Sequence, residues 1–490
     1  AEVMNDPESG VHREGMGKSN IASTQMSVIS MMQPKGKKII SSKAMYNNIA
    51  KFRFHNTLPW DPGTVMYDQK NGGNHPLPTA AINVLHYAYP DDPILNFMKH
   101  VIDSGPKKYI SLRPRAFSQE SWMISAIYTQ DWKGPADLQD HLKQVVKETG
   151  EPLGYFSDAR GHMVSRSSWG ADALQLYYVA RVVTAGHQAP IRGYFQVNGL
   201  GRQWLTFRSR GNHHSRANSL VTVDGEGQDN SAVRTLHYNG VAKNKEATFD
   251  IMGSDLTAAY RQANNPWPNL NYTRLKPDAR PWFNMPFKYL VNWYFGDRPQ
   301  HQILEPNEVA FDPKNYSGKK EFAYAYRTAS FARGKHPYIL ILDDVKKDDK
   351  QREYIWNGAL PDDFKKNWGD HTLTGDTAIL VDPNDPTQRL FVHVFGYEGQ
   401  GSFVIEHSQP TQDVDRPKAN LSTEKMPHNL KFKNSTKAAK FRTLIYAFKE
   451  GDALPKITGG NGRYTISIGD QVDELRLGNS PGDKITLTRK

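Results

Sequence analysis

EPLGYFSDARGHMVSRSSWGADALQLYYVARVV, Glu151 to Val183, is where the chain changes its hydrophobic rhythm. Before it, from Ser19 to about Lys147, apolar residues recur at three and four, as in NIASTQMSVISMM and LPTAAINVLHYAYPDDPILNFMKHVI, with proline and glycine between the runs. That spacing predicts helices joined by long loops. PADLQDHLKQVVKET, residues 135–149, is acidic early and basic late, in agreement with the helix dipole, and reads as the last of them. From Gly154 the period becomes two: HMVSRSSW, ALQLYYVARVV, GYFQVNG, QWLTFRS, SLVTVDG, ATFDIMG, YILILDDV, AILVDP, RLFVHVFG and FVIEHS follow at short intervals. Many short strands separated by Gly, Asn and Asp predict a large antiparallel β-sandwich. The stretch 405–440 is polar and proline-containing, after which FRTLIYAF, YTISIG, DELRLG and KITLTRK supply a final set of strands. The expected class is therefore α+β and multidomain: a helical unit over 1–153, the sandwich over 154–404, and 405–490 as the far end of the sandwich or a small carboxy-terminal sheet.

A chain of 490 residues exceeds the ~100 to 200 expected of one domain, in keeping with that division. Lys and Arg outnumber Asp and Glu by 62 to 51, a net charge of +11 that favours an acidic partner such as a polyanionic glycan, nucleic acid or membrane surface. The 10 Trp, 23 Tyr and 21 Phe narrow the choice. Many are interleaved with polar residues, as in WPNLNYTR and FKYLVNWYFGDRP, and rings beside hydrogen-bonding groups suit sugar faces, although most serve a sandwich core. No nucleic-acid module is visible and the basic residues are scattered, so nucleic acid is not expected as a partner. With no cysteine, disulfides, thiolate metal sites and cysteine nucleophiles are excluded. No run approaches the ~18 apolar residues of a membrane span, and AEVMNDPESG lacks the regions of a signal peptide. The expectation is a secreted or periplasmic protein whose signal was removed, or a chain that begins within a longer one.

The run EPLGYFSDARGHMVSRSSWGADALQLYYVARVVTAGHQ, followed by GYFQVNGLGRQWLTF and then HHSRANSLVTVDGEGQ, resembles the heparinase II/III family of polysaccharide lyases. In that family an aromatic, small polar residue, glycine, two strands and GHQ open the β-domain, and an Asn-Ser/Thr, strand, DG-x-GQ run follows. The match covers about Tyr155 to Gln228. It implies an incomplete α/α toroid packed on an antiparallel β-sandwich, an active cleft between them, and a uronate-containing anionic polysaccharide as substrate. The helical part here is shorter than the family's toroid, which implies that an amino-terminal segment of the toroid is missing from this chain.

Cleaving a 4-linked uronate by β-elimination requires neutralising its carboxylate, removing the weakly acidic C5 proton, and protonating the departing O4. On the resemblance, Asn20 is the carboxylate-binding amide, with Gln25 one turn further on. Asn20 also reads simply as a helix N-cap beside Ser19. Tyr67, in the loop WDPGTVMYDQKNGGNHPLP, stands near the separation from Asn20 that the family shows and is the candidate acid or base, with His75 of the same loop as the alternative. His187, in AGHQAP, matches the family's β-domain histidine. The zinc site of some relatives is not expected, because Ala189, Phe207, Arg208 and Ala217 occupy the places of its ligands. No cofactor is required by this scheme, and the sequence leaves a structural metal open.

Adjacent histidines on a strand point to opposite faces, so His213 and His214 do not readily share one ion. With Arg216, which can grip a carboxylate or sulfate bidentately, they are expected near the cleft or, more simply, at a polar strand entry. Asn218–Val223 is expected as a strand and Asp224–Gly225 as its turn. Trp60, Arg113, Arg115, Trp122 and Trp169 are candidate substrate contacts by residue type and location. Two rivals remain: a glycoside hydrolase, which needs a carboxylate pair about 5 to 9.5 Å apart that nothing marks among Asp61, Asp68 and Glu120, and a non-catalytic polyuronate-binding protein.

Overall fold

The computed structural model describes residues 46–66, 75–104, 130–158, 161–180, 191–207, 217–228, 233–261, 322–361, 371–407 and 428–490. A π-helical turn, Asn47–Lys51, runs directly into α1, Phe52–Asn56. A small sheet follows, with β1 Thr57–Leu58, β2 Asp61–Val65 and β3 His75–Pro76 in that order. Then come α2, Thr79–Ala88, α3, Pro93–Ser104, and α4, Leu138–Thr149. The side chain of Asp137 caps α4 by accepting from the Asp140 amide at 2.9 Å, and Gly150 ends it in the left-handed region at φ 60°. Only His141, Leu142 and Val145 of α4 are buried, the one-sided pattern that its sequence predicts.

The expected loop between Trp60 and Pro78 is partly a strand. Pro62 is tolerated in β2 because the ladder engages Asp61, Thr64 and Val65 and skips the proline, which has no N–H to give.

The β-region begins at Gly154. A five-stranded meander consists of β4 Gly154–Ser157, β5 His162–Arg166, β6 Gln175–Val179, β7 Tyr194–Gly199 and β8 Arg202–Leu205. Next are β9 Val221–Val223, β10 Arg234–Asn239, β11 Phe249–Asp255, the short α5 Thr257–Arg261, β12 Tyr324–Ala332, β13 Tyr338–Lys346 and β14 Arg352–Ala359. The chain continues through β15 Thr372–Thr374, β16 Thr377–Val381, β17 Gln388–Phe395, β18 Gly401–His407, β19 His428–Thr436 and β20 Ala439–Lys449. It closes with β21 Lys456–Gly460, β22 Arg463–Ile468, β23 Gln471–Arg476 and β24 Thr486–Arg489.

Eight of these strands form one antiparallel sheet in the order β10-β11-β12-β13-β20-β17-β16-β15, and β18-β19-β14-β9 form a second. With one face of the meander they enclose a common core that includes Trp204, Trp356, Phe195, Ile341 and Phe432. Each such large side chain stabilises the fold by roughly 2 to 3 kcal/mol through burial. The meander's other face closes a second core with Phe52, Phe54, Leu95 and Phe97 of the helical layer, so β5, β6 and β7 are buried on both sides. The architecture is thus a helical amino-terminal layer followed by large antiparallel sheets, the α+β class expected.

Beyond residue 404 the chain does two things. β18 crosses that position, β19 and β20 enter the two large sheets, and β21–β24 form a separate four-stranded sheet over a third core. The Asp224–Gly225 turn takes the expected form: both residues have positive φ, and Val223 and Glu226 exchange backbone hydrogen bonds at 2.9 Å. Among the described residues no helix is long and apolar enough to cross a membrane.

Candidate functional site

The helical layer meets the meander along a buried polar seam. Alternation along β5, β6 and β7 sends His162, Arg166, Gln175 and Asn198 toward the helices. His162 Nε2 lies 3.2 Å from Asn56 Oδ1, and Gln175 donates to the Thr57 carbonyl at 3.1 Å. Arg166 donates to the His55 carbonyl at 2.6 Å and stacks over the Trp169 ring, 4.2 Å away. A guanidinium placed at the carbonyl end of α1 satisfies acceptors that a helix terminus leaves without partners. Burial pushes the Arg166 guanidinium down to about 9.

Glu151 closes the seam beneath α1. Its carboxylate oxygens sit 2.9 Å from Lys51 Nζ and 2.9 Å from His55 Nε2. Burial works to raise its pKa, but the hydrogen bonds and charges of His55 and Lys51 outweigh burial and bring it to about 2. His55 is itself pushed down by complete burial against the pull of Glu151. His55 and Lys51 together hold Glu151 as a carboxylate.

Described residues that flank some of the candidate positions pack against this meander. One buried guanidinium, Arg327, is held bidentately by Asp343 at 2.6 and 2.9 Å and donates to the carbonyls of Gly193 and Ser219, both at 2.7 Å. Gln228 pins Arg192 through its backbone N–H and carbonyl, at 2.6 and 2.8 Å. The chain resuming after His187 and the chain resuming after His213, His214 and Arg216 are therefore anchored side by side. Met66, the residue before Tyr67, packs near the other end of β7, its sulfur 3.1 Å from Asn198 Nδ2. Tyr194 and Asn198 are four residues apart on β7, about 13 Å at the rise of an extended strand.

At that second end an open cleft of about 580 Å³ is lined by Trp60, Asp172, Arg202, Gln203, Asp385 and Gln388, among others. Trp60 is half-buried, its ring backed by the helical core and facing the cleft. Arg202 is paired with Asp382 at 2.5 Å. The β7–β8 turn that forms one wall places Leu200 at φ 53° beside Gly201 at φ 74°, an arrangement usually given to Asn-Gly. A flat indole beside amides and carboxylates can stack on a sugar face and bind its hydroxyls.

Of the candidate residues, Trp60 lines this cleft. Trp169 is drawn into the seam, its ring 4.7 Å from Phe54 and 5.4 Å from His55, where it supports the packing. His75 stands at the start of β3, its backbone paired with Val65. Asn20, Gln25, Tyr67, Arg113, Arg115, Trp122, His187, His213, His214 and Arg216 lie outside the described residues. Among the described residues no group of three or more His, Asp or Glu could hold a metal ion. The seam residues His55, Glu151, His162, Arg166 and Asn198 are absent from the sequence-based candidates. For His162, Arg166 and Asn198 the available signal was a polar residue at alternate positions of consecutive strands beside a helical region; His55 and Glu151, on α1 and before β4, carried none.

A helical layer closed by a polar seam onto an antiparallel sandwich defines the architecture. No protein-family model and no curated protein matches the sequence. Solved structures do match over the whole chain. A heparinase III structure gives a TM-score of 0.54 at 12% identity, covering 100% of this chain and 60% of that one. Heparan sulfate lyase HepC from Pedobacter heparinus gives 0.53 at 12% identity, covering 99% and 60%. A further heparinase III structure gives 0.54 at 11% identity, covering 97% and 62%. The chain has the heparinase III fold, in agreement with the resemblance carried by residues 155–228, and spans about three-fifths of the length of those chains.

Proposed function

We propose that the protein is a polysaccharide lyase that cleaves a uronic-acid-containing anionic polysaccharide by β-elimination, leaving an unsaturated uronate end. The observation that carries the reading is the match of the whole chain to heparinase III folds. Asn20, with Gln25, neutralises the substrate carboxylate so that charge can build on the enolate-like state. Tyr67 and His187 share the removal of the C5 proton and the protonation of O4, with His75 the alternative to Tyr67. His213, His214 and Arg216 contact the chain further along, as do Arg113, Arg115 and Trp122, and Trp60 offers a stacking face. The scheme needs no metal, and a secreted or periplasmic setting suits a polymeric substrate.

The test is a panel of uronate polymers followed by ultraviolet absorbance of the unsaturated product. Tyr67→Phe and His187→Ala should each lower kcat by about 10² to 10⁴ with a smaller change in KM. Full activity in both variants would overturn the assignment. New reducing ends without absorbance would indicate hydrolysis, and tight binding without turnover a binding protein.

A further inference from the structure

The β21–β24 sheet is two-faced. Tyr464, Ile466, Leu475 and Leu487 point inward, onto a core shared with Phe391, Phe395 and Tyr446 of the eight-stranded sheet. The outward positions follow from the register. Arg463 lies directly opposite Arg476, with Gly460 and Thr486 completing that row. The next row is Thr458, Thr465, Glu474 and Thr488. In the third, Lys456 and Lys490 stand at the two edges, on either side of Ser467 and Val472.

Four cations thus share this face with one carboxylate. Glu474 is engaged by Arg476 at 2.5 Å and by Lys490 at 3.3 Å, and those contacts, Arg476 first, hold its carboxyl below the ordinary range. Among the described residues no acid pairs with Arg463 or Lys456, both exposed. Like charges directly opposite on neighbouring strands repel each other. A face that keeps Arg463 against Arg476 has an electrostatic deficit that an external anion would fill.

We infer that this outward face is a second anchorage for a polyanionic polysaccharide, apart from the cleft. The ligand choice rests on the function proposed above. The cationic positions span about 14 Å across the four strands and about 14 Å along them, a flat area that an extended polymer can cross. Arginine binds carboxylate or sulfate bidentately, and the threonine hydroxyls supply further hydrogen bonds. The three rows present no aromatic ring, whereas single-stranded nucleic acid is usually held by base stacking on such rings. A tether here would raise the local concentration of polymer at the cleft without contacting the bond that breaks.

The experiment measures binding of the full chain to heparin, polygalacturonate, neutral dextran and duplex DNA at low and high salt. Thermal melting serves as the check on folding. The parent should bind the two polyuronates and not dextran. Arg463→Gln with Arg476→Gln should weaken long-polymer binding about tenfold at low salt, the gap closing as salt screens the charges. Binding of a tetrasaccharide should stay unchanged. Parent-like affinity of the doubly substituted chain for both long polymers would overturn the proposal, as would DNA binding tighter than either with the loss confined to DNA. Failure to form unsaturated product would count against the lyase reading and leave this binding comparison intact.

Discussion

On its sandwich side the β4–β8 sheet presents Met163, Leu176, Tyr178, Phe195 and Val197, while on its helical side His162, Arg166, Gln175 and Asn198 take alternate positions. Both faces are buried. The first is held by apolar area, which has no direction; the second by hydrogen bonds that fix which carbonyl meets which donor. The sandwich is therefore built for stability, and the seam for the orientation of the helical layer over the sheet.

The largest effect should come from the apolar side. Trp356, fully buried between Phe195 and Phe403, should cost about 4 kcal/mol on replacement by alanine, read as a fall in the denaturation midpoint with helical and sheet signals moving together. A loss below about 1 kcal/mol would mean that the core closes over the gap.

Arg166→Leu should cost less, about 2 kcal/mol, because the Thr57 carbonyl keeps Gln175 and only the His55 carbonyl loses its side-chain donor. The characteristic readout is early proteolysis of the helical layer at unchanged sandwich stability. A gain in stability would show that desolvation of the guanidinium outweighs the carbonyl it satisfies.

The gentlest break is acid. Burial, the leading cause in each, pushes His55, His86, His100 and His141 below the ordinary imidazole value. His100 and His141 meet Nδ1 to Nδ1 at 2.8 Å, a contact that allows one proton between them and not two. Since the unfolded chain takes up protons first, the stability these groups hold above about pH 6.5 declines as pH falls below it. Glu151, depressed to about 2, adds a second decline from the ordinary carboxylate range downward. Urea midpoints of the helical signal should fall in small steps from neutral pH to about pH 5, and His141→Gln should flatten the curve; a midpoint independent of pH would remove the buried neutral histidines from the account.

The change of period at Gly154 made the sandwich readable, as did the acidic start of α4 and the Asp224–Gly225 turn. The seam was not readable for a specific reason. In HMVSR the alternation of His162, Val164 and Arg166 with Met163 and Ser165 resembles a strand with one wet face, and nothing local says that helices cover it. REYIWNGA, which became β14, is buried at six consecutive positions, so it carried no alternation to detect. In the polar, proline-containing stretch 405–440 the polar residues hid β19, in which Lys431 and Lys433 are paired with Glu406 across the strands. The site residues drawn from the resemblance came from motif spacing, since composition and period do not single out a catalytic side chain.

β20 enters the eight-stranded sheet between β13 and β17, both made earlier in the chain. During synthesis those two strands therefore wait, each with an open edge, until residues 439–449 emerge. Pairings this distant in sequence form slowly, and open edges recruit whatever strand is near. A chain stopped short of Ala439 would thus be a template for aggregation, because the widest sheet among the described residues is completed only by β20.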